Sequence, residues 1–325
     1  MKKTSLVFVS VFAAFSLLLS ACGAPQSTTS GSGDNPAGTI TISGAFALYP
    51  LMTVWGEEFK KVHPNVEFDI SGGGAGKGMT DALSGAVDIG MVSRKVKPEE
   101  EAQGAYTIPA VKDAVFGVVS NKNPVIAEIL AKGITQETLR KIVITGEIKT
   151  WGEVVGKPAV KDAIHVYTRS DSAGAAEIWA QFLGAKTQAD ILKSAVGVNA
   201  DPGLLDAVVK DPLGIGYNNL GFVFDLTTGK LATGAVAIPL DADKNGKADD
   251  VEVIDSLAEA TDAVTNGIYP SPPGRVENLV TKGKPTGLTQ TFIQWILTDG
   301  QQFVGQAGYV KLPPDVLADS IAKVK

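Results

Sequence analysis

Three short stretches hold side chains whose types and spacing could do chemistry. In Ser71-Gly72-Gly73-Gly74-Ala75-Gly76-Lys77-Gly78 the backbone is bare enough for consecutive N–H groups to line an anion nest. A nucleotide P-loop would need Gly where Ser71 stands and Ser or Thr where Gly78 stands, so ATP is disfavoured. In Thr168-Arg169-Ser170-Asp171-Ser172-Ala173-Gly174-Ala175, Arg169 offers a rigid fork of donors to an oxyanion, and Asp171 can hold that fork or accept a proton from a partly protonated ligand. The plainer alternatives are a surface Arg-Asp pair and a Ser172 that caps the next helix. Ser93-Arg94 is a weaker case of the same kind. Asp241, Asp243, Asn245, Gly246 and Glu252 occupy places one, three, five, six and twelve of a calcium-loop pattern, so calcium is the candidate ion. Helices that would flank such a loop are not evident, and a solvated acidic turn is the alternative.

What is missing narrows the chemistry. Among 325 residues there are two histidines, His63 and His165, and one cysteine, Cys22, so neither a zinc cluster nor an internal disulfide is available. No Gly-x-Ser-x-Gly elbow and no distinctive carboxylate pair is present, and no enzyme is expected. With 29 Lys plus Arg against 35 Asp plus Glu the formal charge is −6, which argues against a nucleic-acid surface but allows a local anion site.

Residues 1–21 read as a targeting signal: Lys2 and Lys3, an apolar run from Leu6 to Leu19, then Leu19-Ser20-Ala21-Cys22. The last four residues resemble a bacterial lipobox, which makes Cys22 the expected lipidation site. Cleavage would leave 304 residues with a formal charge of −8. Residues 22–38, rich in Ser, Thr and Gly, read as a flexible tether.

The elements that must position these stretches follow an α/β rhythm. Thr39 to Ile42 reads as a strand, Leu48 to Val62 as an amphipathic helix, Val66 to Ile70 as a strand, Gly78 to Leu83 as a short helix and Val87 to Val92 as a strand. Ala114 to Val119 is the next apolar strand; Ile134 to Ile142 is a helix with Thr135 as its N-cap, and Ala173 to Leu183 another. A helical stretch from Asp201 to Val209 leads into the strand Gly214 to Tyr217, and Phe292, Trp295, Ile296 and Phe303 mark a final helix. Loops leaving such strands meet at a crevice into which helix N-termini direct free N–H groups and partial positive charge.

The residues Ile42-Ser43-Gly44-Ala45-Phe46-Ala47-Leu48-Tyr49-Pro50, the Ser71 to Gly78 loop, Asp88-Ile89-Gly90-Met91-Val92-Ser93-Arg94, Arg169 to Gly174, Gly214-Ile215-Gly216-Tyr217 and Val280-Thr281-Lys282-Gly283 resemble, in order and separation, the phosphate-binding proteins of bacterial ABC importers. The resemblance implies a two-lobed α/β fold of the type II periplasmic binding protein kind, each lobe a mixed sheet flanked by helices. Lobe I would comprise residues 39–115 and 283–325, and lobe II residues 116–282. It also implies an extracytoplasmic, lipid-anchored monomer, in the periplasm or at the cell surface, that closes around phosphate and delivers it to an ABC permease without cofactor. Carried over by position, the ligand-binding residues would be Ala45, Phe46, Gly74, Ala75, Ser93, Arg94, Arg169, Asp171, Ser172, Ala173, Gly174 and Ala175. Ala45 or Phe46, Ala75, Ala173 and Ala175 stand where the family usually offers hydroxyls. Another oxyanion, a small organic anion, or a non-transport sensor or adhesion role on the same scaffold are therefore the alternatives.

Overall fold

The computed structural model describes residues 36–325; Cys22, the targeting segment and most of the tether lie outside them. Nine strands form one mixed sheet: β1 (Gly38–Gly44), β2 (Val66–Gly72), β3 (Ile89–Val92), β4 (Ala105–Ser120), β5 (His165–Arg169), β6 (Val196–Val198), β7 (Gly214–Asn219), β8 (Ala235–Ala237) and β9 (Gly274–Lys282). The order is β2-β1-β3-β9-β4-β7-β5-β6, with β8 also paired to β4. Strands β1, β2 and β3 run parallel, as do β7, β5 and β6. Between these groups, β9 and β4 are antiparallel to each other and to their outer neighbours. Strand β4 pairs with β9 from Ala105 to Ala114 and with β7 from Val115 to Val119, so one chain segment belongs to both halves of the sheet.

Each half has its own hydrophobic core. The first gathers Ile40, Ile42, Trp55, Phe59, Met91, Leu279, Val280, Phe292 and Ile296; the second gathers Val115, Phe116, Val119, Trp151, Trp179, Tyr217, Leu220 and Phe224. Helix α1 (Tyr49–Val62) shows how the sequence achieves this. Pro50 sits in its first turn, and Leu51, Met52, Trp55 and Phe59 bury one stripe. Burying a large apolar side chain contributes about 1.5–3 kcal/mol.

Three element boundaries differ from the expectation. Helix α2 spans Ala75–Ser84, so the end of the glycine-rich loop is already its first turn. Strand β4 starts nine residues before Ala114, because alternating residues such as Ile108 and Ala110 bury against the first core rather than forming a loop. The helix carrying Phe292, Trp295 and Ile296 ends at Leu297; Phe303 lies in a 3₁₀ turn, and a further helix, Pro314–Val324, follows. The break falls at Thr298, which is non-helical at φ −117° and ψ −94°, and Pro314 suits the first turn of the helix beyond. Among the described residues no helix is long and apolar enough to cross a membrane.

Candidate functional site

Arg169 ends β5 and is 4% exposed, which removes the surface-pair alternative. Its Nε donates to Asp171 Oδ1 at 2.7 Å and its Nη2 to Asp171 Oδ2 at 2.5 Å, a fork-to-fork pair made possible by the turn between them. Its Nη1 donates to Asp201 Oδ2 at 2.5 Å. These bonds use three of the five guanidinium N–H donors and leave two over. Burial works to raise the Asp171 pKa, but the bonds and charge of Arg169 outweigh it and hold the carboxyl below its usual range. The hydroxyl of Tyr217 accepts the Arg169 backbone N–H at 3.1 Å and pairs with the Thr168 hydroxyl at 2.8 Å, fixing the strand end. Burial pushes that phenol up to about 12, so it stays protonated.

The helix Gly174–Phe182 follows at once. Its N-cap is Ala173 and no side chain caps it; Ser172 is exposed and does not serve as the cap. The helix start therefore keeps its partial positive charge beside Arg169.

The other half of the sheet supplies the facing loops. Gly44 ends β1, and its carbonyl accepts the N–H groups of Gly73 and Gly74, each at 3.0 Å, which ties the first loop to the glycine-rich one. Gly74 is the N-cap of α2 at φ +87°; a Cβ there would lie 2.6 Å from the Ser172 carbonyl oxygen and 2.8 Å from Asp171 Oδ2, so glycine is what lets the loops close. The Gly76 N–H donates to the Ser172 carbonyl at 3.2 Å. The Phe46 ring lies 5.4 Å from Arg169 Cζ, covering the guanidinium with an aromatic face. Ser93 is buried and packs directly against Gly174. Ala45, Ala75, Ala173 and Ala175 are all buried around this junction and offer it methyl groups only.

Of the residues singled out in the sequence, Arg94 turns elsewhere: its fork meets Glu100 at 2.9 and 2.7 Å, and its Nη1 also bonds the Lys95 carbonyl. Lys77 is likewise engaged, by Asp81. An open depression of about 630 Å³ beside Arg169, Asp171 and Ser172 is bordered by Lys97 and Lys193, which place positive charge at its rim. A separate groove of about 700 Å³ near Ile142, His165 and Val196 shares no residue with this junction.

Sequence reading missed the support behind Arg169. Asp201, fully buried at the start of the helix Ala200–Lys210, accepts from Asn219 Nδ2 at 2.6 Å, while its backbone carbonyl accepts from Asn218 at 2.9 Å. Asn219 in turn accepts from Arg275 on β9, which reaches Asp113 on β4 at 3.1 Å and Glu277 at 2.8 Å. Burial pushes Asp113 up to about 6 and Glu277 up to about 8 against the opposing charge of Arg275. The available signal was two adjacent asparagines closing the apolar strand β7, and an Arg-x-Glu within the apolar β9.

The acidic loop is compact. Asp241, Asp243 and Glu252 each bring a carboxylate oxygen to within 4.8 Å of the others, a donor set that could hold a metal ion. Asp241 accepts the N–H groups of Asn245 and Gly246, and Glu252 those of Ala242 and Asp249. Asn245 donates its amide to Asp243 and Asp249.

Two cores on a shared mixed sheet, with glycine loops and helix starts of both gathered round a buried arginine, define an α/β solute-binding architecture. The sequence matches the PBP superfamily domain over residues 26–300, and the chain belongs to that superfamily. It is 28% identical over 320 residues to the phosphate-binding protein PstS of Bacillus subtilis, covering 95% of each chain, and 27% identical to that of Methanocaldococcus jannaschii, covering 86% of this chain and 84% of the other. Among solved structures, a protein from Clostridium perfringens with bound phosphate superposes with a TM-score of 0.69 at 22% identity, over 85% of this chain and 100% of the other. An ABC-type phosphate transport receptor from Vibrio cholerae gives 0.60 at 21%, over 84% and 100%. The fold is the type II binding-protein fold expected from the sequence, with the mixed sheets expected for the two lobes continuous through β4 as one sheet flanked by helices.

Proposed function

We propose that the protein is an extracytoplasmic receptor that captures inorganic phosphate between two lobes and presents it to an ABC permease. The observation that carries this reading is the place of Arg169: buried, forked onto Asp171, and covered by Phe46 from the other half of the sheet. The two lobes are residues 39–115 with 283–325, and residues 116–282 apart from β9, which pairs with β3, buries Leu279 and Val280 in the first core and so sits with the first lobe. A captured anion loses its hydration, and the helix starts at Ala75 and Gly174 together with the two spare N–H groups of Arg169 offset that loss. Asp171 sets a condition on the ligand, since an anion with no proton to donate meets its carboxylate directly. Binding makes and breaks no covalent bond, and the protein is not an enzyme. Cys22 carries the lipid that holds the receptor at the membrane.

A different oxyanion or a small organic anion is the second reading, favoured by the four buried alanines, which replace possible charge-assisted hydrogen bonds of about 1.5–3 kcal/mol each. Calorimetry across phosphate, sulfate, molybdate and small carboxylates separates the readings: tight uptake of phosphate alone supports the first, tight uptake of another anion the second, and no uptake of any a non-transport role. At the acidic loop we assign calcium as the ion, because Asp241, Asp243 and Glu252 form an all-oxygen set suited to a hard cation.

A further inference from the structure

The receptor reading assigns anion contact to Arg169, but leaves open what fixes that guanidinium while the lobes move. We propose that Asp201 is a positioning residue for anion capture: it pins the Nη1 end of Arg169 and, through Asn219 and Arg275, ties it to β9 and to β4, the strand shared by both halves of the sheet. The proposal rests on that receptor reading.

Asp171 alone would not suffice. It grips Arg169 along the Nε–Nη2 side, itself steadied by the Ala200 N–H at 3.1 Å, and leaves the Nη1 end unheld. Asp201 comes from a different element, the helix Ala200–Lys210, and meets Nη1 at 2.5 Å with both side chains at most 2% exposed. With carboxylates on two sides and the Phe46 ring on its face, the guanidinium plane has one orientation left.

Asp201 is itself held. Its second oxygen takes the Asn219 amide at 2.6 Å, and its backbone carbonyl takes Asn218. The carbonyl oxygen of the Asn219 side chain accepts from Arg275, whose other partners are Asp113 on β4 and Glu277 on β9. All six side chains of this chain of contacts, from Arg169 to Glu277, are buried. Four acidic side chains stand beside two guanidinium groups there once Asp171 is counted, and on the Arg169 side losing Asp201 would leave a buried guanidinium short of a partner. Because these contacts run from Arg169 through the end of β7 to β9 and β4, the set of Arg169 depends on the relation of the two halves. This goes beyond the direct contacts to the anion and gives a purpose to buried charge that folding alone does not require.

The test uses the full chain, inorganic phosphate and arginine side-chain NMR. In Asp201→Asn, phosphate affinity should fall by about tenfold or more, the size expected for a charged hydrogen-bond partner. The Arg169 Nη1–H signals, protected in the parent, should be lost to solvent exchange while the Nε–H held by Asp171 remains. Unchanged affinity, or a protected Nη1–H in the variant, overturns the proposal. Should Asp201→Asn fail to fold, Asn219→Ala takes its place: weaker phosphate binding with diminished Nη1–H protection supports the proposal, and parental values for either overturn it. A parent that binds no phosphate defeats the receptor reading, and the Nη1–H comparison still decides whether Asp201 pins Arg169.

Discussion

The Ser172 carbonyl accepts the Gly76 N–H at 3.2 Å, a hydrogen bond between the loop before one helix and the first turn of another on the opposite half of the sheet. Neither residue could make it with a bulkier neighbour, since a Cβ on Gly74 or Gly76 would run into Ser172. The contact brings two helix starts and Arg169 into one small volume. That is the arrangement an anion receptor needs when its lobes are together.

Removing the guanidinium should be costly even without ligand. Arg169→Met leaves the buried Asp201 and the half-buried Asp171 without their cation, and the loss expected for breaking such a buried pair is about 3–5 kcal/mol. Urea unfolding monitored by tryptophan fluorescence measures it; a loss below 1 kcal/mol, on the order of a surface pair, would contradict the account.

Closure should be more sensitive than stability to Gly174→Ala. A Cβ there overlaps Ser93 of the opposing loop, whereas the position itself is an ordinary helix start. The expected outcome is markedly weaker phosphate uptake with a melting temperature near the parent's. Small-angle scattering should show the variant remaining extended when phosphate is added.

The Tyr217 hydroxyl should matter through the backbone of Arg169. Tyr217→Phe leaves that N–H without its acceptor in a buried strand end, which should lower stability by about 1–3 kcal/mol. Equilibrium denaturation of the variant, compared with Thr168→Val, separates this loss from that of the Thr168 contact.

Glu277 should give the fold a pH dependence of defined sign. Burial raises its pKa from 4.5 to about 8, so between those values the folded chain holds a proton that the unfolded chain has released, and stability falls as pH rises. Asp113, raised to about 6, adds the same trend at lower pH. Glu277→Gln should flatten the decline between pH 6.5 and 8, a window lying between the cited values and read by urea midpoints at each pH. A variant as pH-sensitive as the parent would count against a protonated Glu277.

The acidic loop should respond to calcium. Added calcium should raise the melting temperature of the parent, chelator should reverse the gain, and Glu252→Gln should abolish it, because Glu252 supplies one of the three converging carboxylates. Magnesium at the same concentration should have a smaller effect, given its demand for a tighter octahedral shell.

Much of this was legible in the chain itself, and the limit was physical. Alternation in Val66 to Ile70, the apolar stripe from Leu51 to Phe59 and the Thr135 cap are local signals, and each element lies where they indicate. The start of α2 was hidden because Gly74 to Gly78 has the composition of a loop while Ala75 to Lys77 are helical. The Arg169–Asp171 pairing could be anticipated from two residues of separation. Asp201 lies 32 residues from Arg169, and Asp113 lies 162 from Arg275, so those pairs depend on strand order that periodicity does not encode. The Arg94 pairing was missed for the opposite reason: its partner, Glu100, is local and opens a capping turn at Lys97.

A crystal structure of the full chain grown with inorganic phosphate tests the central claim most directly. The account predicts one phosphate bonded to the free N–H groups of Arg169 and to backbone N–H groups at the starts of α2 and of the Gly174 helix, with the Asp171 and Asp201 pairs intact. Phosphate bound elsewhere, or an Arg169 whose remaining donors meet only protein or water at saturating phosphate, would contradict it.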